Sequence, residues 1–259
     1  MGRPPSAGQL SAAEAVIAEE AARAAGAILL ERFGSERALE RTKSSPTDVV
    51  SEADLLAEKA IRDILAARVP DDAIMGEEGA DTPGTSGRRW IVDPLDGTVN
   101  FLFGIPQWAV SVACEGIAGV VFDPCRGELF VAADGAATLN GEPLRASSRG
   151  ELGSALVATG FGYEPQIRAG QAEVVARLLP LVRDIRRAGA AALDLAWAAA
   201  GRLDAFYERG VKPWDIAAGT LLCEAAGLVV RTLEPTGSLP RGVIAAPPAL
   251  VDSLFELVA

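Results

Sequence analysis

The chain reads as an α/β protein built from two unlike halves: helices with a mainly antiparallel sheet first, then alternating helices and strands. Three observations predict this. Residues 109–114, 119–122 and 128–133 are strand-like runs at hairpin spacing, and Asn140-Gly141 is a strong hairpin-turn dipeptide. Further on, strand-like runs at 155–158, 205–207 and 228–230 are separated by helical periodicity over 166–182, 190–200 and 214–226. The composition is globular, with 49% hydrophobic and 23% charged residues in 259, enough to bury a full core.

Taken in order, Ser11-Ala12-Ala13-Glu14 has the form of a capping box, opening an Ala-rich amphipathic helix that runs to about Phe33. A polar segment over 41–46 leads into Asp48-Val49-Val50-Ser51, and Ser51 with Asp54 forms a second S-x-x-D start, for a helix ending near Arg68. Ile74-Met75-Gly76 and Trp90-Ile91-Val92 read as short buried strands, each ending in acids, Glu77-Glu78 and Asp93. The polar, Gly- and Ser-containing stretch 145–153 is the expected join. It divides the chain into an N-terminal α+β subdomain, 1–147, and a C-terminal α/β subdomain, 148–259, packed as one compact unit without repeats or low-complexity linkers.

Charge and composition exclude several kinds of chemistry. With 24 Lys+Arg against 35 Asp+Glu the net charge is −11, which offers no basic footprint for a phosphate backbone, so no direct nucleic-acid binding is expected. Histidine is absent, which rules out a Ser-His-Asp triad, an imidazole base and a His-ligated zinc or iron site. Cys114, Cys125 and Cys223 are far apart and odd in number, which favours a reducing compartment over a disulfide framework. Met1 to Ser6 holds no apolar run that would make a secretory signal, and the most apolar stretch, 188–200, is broken by Asp194. A cytoplasmic protein that does not span a membrane is the expectation.

The segment richest in chemistry is Trp90-Ile-Val-Asp93-Pro-Leu-Asp96-Gly-Thr98-Val-Asn100-Phe. An apolar strand is expected to emerge into a sharp turn, with Pro94 fixing one backbone angle and Gly97 freeing another, so that Asp93 and Asp96 converge. Two converging carboxylates repel unless a hard cation lies between them, and oxygen-only ligation suits Mg²⁺, Mn²⁺ or Ca²⁺. The Gly97 and Thr98 amides, at a helix start, would make an adjoining anion site. The plain alternative is a surface turn, since D-P and D-G are ordinary turn dipeptides. Both together, directly after an apolar strand and followed by Thr, favour the metal.

Residues 90–113, WIVDPLDGTVNFLFGIPQWAVSVA, resemble the signature of the inositol monophosphatase family, Mg²⁺-dependent and lithium-sensitive phosphatases. Lys212-Pro213-Trp214-Asp215-Ile-Ala-Ala-Gly219, running on to Glu224-Ala-Ala-Gly227, resembles a second signature; Gly76-Glu77-Glu78, Lys43 to Asp48 and Asp54 match further elements in the family's order. The resemblance spans roughly the whole chain and implies a layered αβαβα sandwich. It implies two or three Mg²⁺ ions: Glu77, Asp93 and the Leu95 carbonyl on the first, Asp93, Asp96 and Asp215 on the second, and Glu77 through water on a weaker third. It makes Asp54 and Thr98 the pair that orients and deprotonates the attacking water, with Glu77 the third catalytic side chain. Asp96, Gly97, Thr98, Gly189, Ala191, Glu208 and Asp215 are implied at the substrate, with Lys43 as a phosphate-side cation and Asp48 unassigned. Each has a bland counterpart: Asp54 as a helix cap, Asp215 as an acid favoured at a helix start, Glu77-Glu78 as a solvated pair, Lys43 as an exposed lysine. Ala190 stands where the family carries Ser or Thr, and Ala226 replaces a glycine.

The implied reaction is hydrolysis of a small sugar or polyol phosphate, myo-inositol monophosphate first, by in-line attack of water. Fructose 1,6-bisphosphatase or broader sugar-phosphatase activity is the runner-up. A role as a binding partner in transcription and ribosomal RNA maturation is the alternative of another class. A homodimer is implied by analogy.

Overall fold

The computed structural model describes residues 7–34, 40–42 and 49–259, with side chains described over 11–34 and 52–259. Lys43 and Asp48 lie outside the described residues, as does the side chain of Ser51. The protein is a layered αβαβα sandwich. One outer layer holds α1 (Ala7–Arg32) and α2 (Glu52–Arg68). A seven-stranded sheet follows, in chain order: β3 (Ala73–Gly76), β4 (Arg89–Asp96), β5 (Ala109–Cys114), β6 (Ala118–Asp123), β7 (Glu128–Ala133), β8 (Ala136–Leu139) and β9 (Glu142–Pro143). The middle layer is α5 (Ala191–Ala199) with α6 (Pro213–Ala225). Beyond it lies a five-stranded sheet of β10 (Leu156–Thr159), β11 (Asp184–Arg186), β12 (Ala205–Arg209), β13 (Val229–Leu233) and β14 (Gly242–Ala246), covered outside by α4 (Pro165–Leu178) and α7 (Val251–Val258). A short α3 (Thr98–Leu102) follows β4, and β1 (Glu40–Thr42) pairs with β2 (Val49–Ser51) ahead of α2. Among the described residues no helix is long and apolar enough to cross a membrane.

Two-residue periodicity sorts the strands' side chains between the layers. On the seven-stranded sheet Val112, Val120 and Leu129 turn towards α1 and α2. The partners Ala113, Gly119, Ala132 and Ala137, in register across four strands, turn towards the middle layer. That row is small for a reason: a Cβ on Gly119 would come within 2.8 Å of the Ala218 Cα on α6. The same alternation puts Phe206 on the inner face of the five-stranded sheet and Tyr207 on the outer. Glu208 shares the parity of Phe206 and so faces inward.

The hairpin strands fall where the spacing predicts, and Asn140 and Gly141 both adopt positive φ (51° and 86°), the conformation of a two-residue hairpin turn. Sheet pairing is antiparallel from β4 to β9, and β3 joins β4 in parallel. Three expectations are corrected. The first helix does not begin at a Ser11 capping box but at Ala7. Ser11 lies within it and is buried, donating to Ile117 O (2.9 Å) and accepting from Asp134 N (2.8 Å), so its hydroxyl ties the helix to two hairpin turns. The Asp-Pro-x-Asp stretch is not a turn after the strand; β4 continues to Asp96 with a register shift between Asp93 and Asp96, and Pro94 is tolerated at this irregularity. The second sheet is mixed: β14, which the sequence reading lacks, runs antiparallel between β12 and β13, and β11 adds a short edge strand.

Because α6 lies directly on the β6 backbone, Gly119→Ala must push them apart. We expect a loss of about 1–3 kcal/mol, the usual cost of overpacking, read as a lower urea midpoint with unchanged m.

Candidate active site

Gly97 ends β4 in the left-handed region (φ 96°) and opens α3. A side chain there would be strained, and its Cβ would also stand 2.9 Å from Gln107 O and 3.3 Å from the Ala190 Cβ. This turn points Thr98 back at its own strand. Its Oγ1 lies 3.1 Å from both Asp54 Oδ1 and Leu95 O, so one hydroxyl proton is shared between a carboxylate and a carbonyl. Asp54 is fully buried in the first turn of α2. The α3 segment is anchored by Phe101, which meets Trp108 edge-on at 5.3 Å while Phe33 of the first helix's end packs on both rings. Asn100 donates to Gln107 O and Ala188 O, binding α3 to the loop before α5.

The acids converge from several elements. Asp93 is 1% exposed, and its Oδ1 accepts from Leu95 N at 3.0 Å. Burial first, then the charges of Glu77, Asp96 and Asp215, hold its carboxyl well above the ordinary range. Asp96 is also pushed up by burial, to about 7, although the Ala192, Ala191 and Leu193 amides oppose the rise. Ala192 N donates to its Oδ2 at 2.7 Å and Ala191 N to its Oδ1 at 3.1 Å. Asp215 is raised chiefly by burial and by Asp96 and Glu77, against the Lys212 amide that donates to its Oδ2 at 2.6 Å. Glu208 is raised by burial, then by Asp215, Asp194 and Asp96, with Arg187 opposing. Gly160 makes room for it, since a Cβ there would overlap the Glu208 carboxylate.

Glu77, Asp93, Asp96 and Asp215 are thus brought into one electrostatic neighbourhood, with the Leu95 carbonyl beside Thr98. Among the described residues no three acids form a closed ligand cluster. The donor chemistry nevertheless fits a hard divalent cation: oxygen atoms only, from two buried and two half-buried carboxylates whose mutual repulsion an ion would relieve. Gly189 (φ 90°) and Ala191 lie in the loop and helix start beside this cluster, and the Ala191 amide is donated to Asp96. The Ala190 departure also finds a physical reading. Ala190 is the N-cap of α5 and carries no capping oxygen; the Asp96 carboxylate, from another element, satisfies the first amides instead. Asp215 is both the acid at the start of α6 that accepts from the Lys212 amide and a member of the cluster.

Two buried acids escaped the sequence reading. Asp194 is 1% exposed, its Oδ1 has no hydrogen-bond partner, and burial and Asp96 raise it while Arg187 opposes. Its signal was a lone acid inside the Ala/Leu run 190–200, read there only as an interruption. Glu58 is 3% exposed and accepts from the amides of Glu78 and Gly79. One turn after Asp54, it looked like any acid on a charged helix face.

These shifts fix a pH dependence. Between the ordinary carboxylate pKa and the raised folded values, about 7 for Asp96, the folded chain keeps protons that the unfolded chain has released. Stability in the presence of a chelator therefore falls as pH rises through that window. Asp93→Asn removes one of the buried charges, and its carbonyl can still accept from Leu95 N. In chelator at pH 8 it should be more stable than the parent by about 1–3 kcal/mol, the difference shrinking towards pH 5, as chemical denaturation at the two pH values would measure.

Residues 12–258 match the inositol monophosphatase family. The chain is 45% identical over 264 aligned residues to the inositol-1-monophosphatase of Mycobacterium bovis, covering 95% of this chain and 91% of that protein. It is 39% identical over 251 residues to the Nus factor SuhB of Escherichia coli strain K12, covering 92% and 93%. Its fold superposes on the crystal structure of the extragenic suppressor protein suhB from Bartonella henselae with a TM-score of 0.87 at 36% identity, covering 94% of this chain and 97% of that one. Fold, motif order and these likenesses agree, and the chain belongs to the inositol monophosphatase family.

Proposed function

We propose that this chain is a Mg²⁺-dependent phosphoric monoester hydrolase that converts myo-inositol monophosphate to inositol and inorganic phosphate. The supporting observation is the convergence of Glu77, Asp93, Asp96 and Asp215 beside the Thr98–Asp54 hydrogen bond. Glu77, Asp93 and the Leu95 carbonyl would hold one ion, Asp93, Asp96 and Asp215 a second, and Glu77 a weaker third through water. When bound, Mg²⁺ supplies positive charge that neutralises the phosphate, acidifies water and stabilises the departing alkoxide. The chain's own part is proton transfer: as water attacks phosphorus in line with the ester oxygen, Thr98 Oγ1 takes its proton and passes its own to Asp54 Oδ1, while the ester P–O bond breaks and the departing alkoxide takes a proton from solvent to leave as the free polyol. This relay needs no histidine. Glu208, on the inner face of β12, accepts hydrogen bonds from the polyol hydroxyls, with Asp96, Asp215 and the backbone of Gly97, Gly189 and Ala191 lining the site. Lys43 stands as a phosphate-side cation.

In this reading the two subdomains, 1–147 and 148–259, act as one unit, the first supplying most ligands and the second Asp215 and the polyol pocket. The protein acts in the cytoplasm as a homodimer and does not bind nucleic acid directly. Fructose 1,6-bisphosphate is the competing substrate, since the same metal core serves it. The relative called Nus factor SuhB motivates a second reading, partnership in transcription, tested by capture of transcription factors from lysate with a catalytically dead variant.

Phosphate release with Mg²⁺ should be fastest from inositol 1-phosphate in a panel with fructose 1,6-bisphosphate, histidinol phosphate and phosphoadenosine phosphate, and Li⁺ should suppress it. Equal turnover of the bisphosphate would make the enzyme a broad sugar phosphatase, and no release from any of them would remove the hydrolase reading. Thr98→Ala should lower kcat about 100-fold with little change in KM; a rise in KM alone contradicts the relay. Glu208→Gln should narrow the preference among polyol phosphates while leaving the Mg²⁺ dependence in place.

A further inference from the structure

The loop that carries Glu77 follows β3 directly, and its conformation is set by a side chain from another element. Glu58 lies on α2 one turn beyond Asp54, its carboxylate buried beneath the loop. Its Oε2 accepts from Glu78 N at 2.7 Å, and its Oε1 accepts from Gly79 N at 2.8 Å and from Arg62 Nε at 2.7 Å. Arg62 in turn donates to Thr82 Oγ1 at 3.2 Å, so the pair spans the loop from its first residues to its far side. The loop's glycines record the closeness of the fit. A Cβ on Gly76 would stand 2.6 Å from both Glu58 Oε1 and Arg62 Nη2, and one on Gly79 would stand 2.7 Å from Glu58 Oε1. Glu77 is flanked on both sides by this clamp: the residue before it must be small to admit the carboxylate, and the amides of the two residues after it are tied to the carboxylate.

We propose that Glu58 is a positioning residue that aims Glu77 at the acid cluster by holding the 76–79 loop against α2. The inference rests on the reading of Glu77 as a metal ligand and adds to it the source of that ligand's orientation. Two charge-assisted backbone bonds and the Arg62 pair fix the loop in one conformation, where an untethered loop would sample several. Placing Asp54 and Glu58 at positions i and i+4 puts both on one face of α2. That face thus serves the site twice, once through Thr98 and once through Glu77. Glu58 itself touches neither substrate nor cation.

The test is a double-mutant cycle on divalent-ion binding by the full chain, independent of turnover. Mn²⁺, a hard cation with similar oxygen preference, is titrated into metal-stripped protein and the free ion read by electron paramagnetic resonance. Glu58→Gln offers one oxygen where the carboxylate offers two, and should weaken Mn²⁺ binding about 10- to 100-fold, the range for residues that orient a ligand. Glu77→Gln should weaken it at least as much, and the double variant should bind no more weakly than Glu77→Gln alone. Gly79→Ala disturbs the same contact from the loop side and should reproduce the loss, which keeps the test decisive if Glu58→Gln does not fold. Unchanged affinity in Glu58→Gln or Gly79→Ala, or additive losses in the double variant, overturns the proposal. Unchanged affinity in Glu77→Gln overturns instead the ligand reading beneath it.

Discussion

Carboxylates of one sign repel far more strongly inside a protein than in water, and this chain holds the buried Asp93 and Asp96 and the half-buried Asp215 and Glu208 within range of one another. Much of the architecture answers that difficulty with backbone N–H groups. The start of α5 gives two amides to Asp96, the start of α6 gives one to Asp215, and the β4 irregularity gives one to Asp93. Two helices of the middle layer are therefore directed with their positive ends at the acids, which is where helix dipoles favour negative charge. The same N–H groups that lower the cost of ionisation also fix where each oxygen lies.

That placement requires close layers. The small row Ala113, Gly119, Ala132 and Ala137 lets α6 approach the first sheet, and Leu195 of α5 lies against Gly219 with no room for a Cβ. On the opposite face Val112, Val120 and Leu129 pack against α1 and α2. Small residues facing the middle layer thus set how near the two sheets stand, and with that how near Asp215 comes to Asp93.

Much of this was legible in the sequence because it depends on local patterns. Alternating apolar runs gave the hairpins, Asn140-Gly141 gave their turn, and Asp93, Asp96, Gly97 and Thr98 stood out through the order of Pro, Gly and acid along one strand. What escaped depends on contacts between distant segments. The Ser11 hydroxyl looked like a cap because only its own helix was in view; its partners are 106 and 123 residues away. Glu58 serves a loop 20 residues on, and no local pattern separates it from the exposed acids of α2. Asp194 was visible as an isolated charge in an apolar run, but its nearness to Asp96 arises only from packing. The strand β14 is five residues of small and branched side chains, too short to separate from a helix segment by periodicity.

The hydrogen bonds from α5 to Asp96 cross 95 and 96 residues of chain, and they join a strand of the first sheet to a helix of the middle layer. Contacts of such separation form only after long loops have closed, late in the ordering of a chain. The first sheet can assemble its hairpins from neighbours alone, yet Asp96 and Asp215 acquire their orientation only when the middle layer is seated. Under the proposed reading, ion binding during refolding would report the seating of the middle layer on the first sheet, because Asp96 lacks its α5 amides until then.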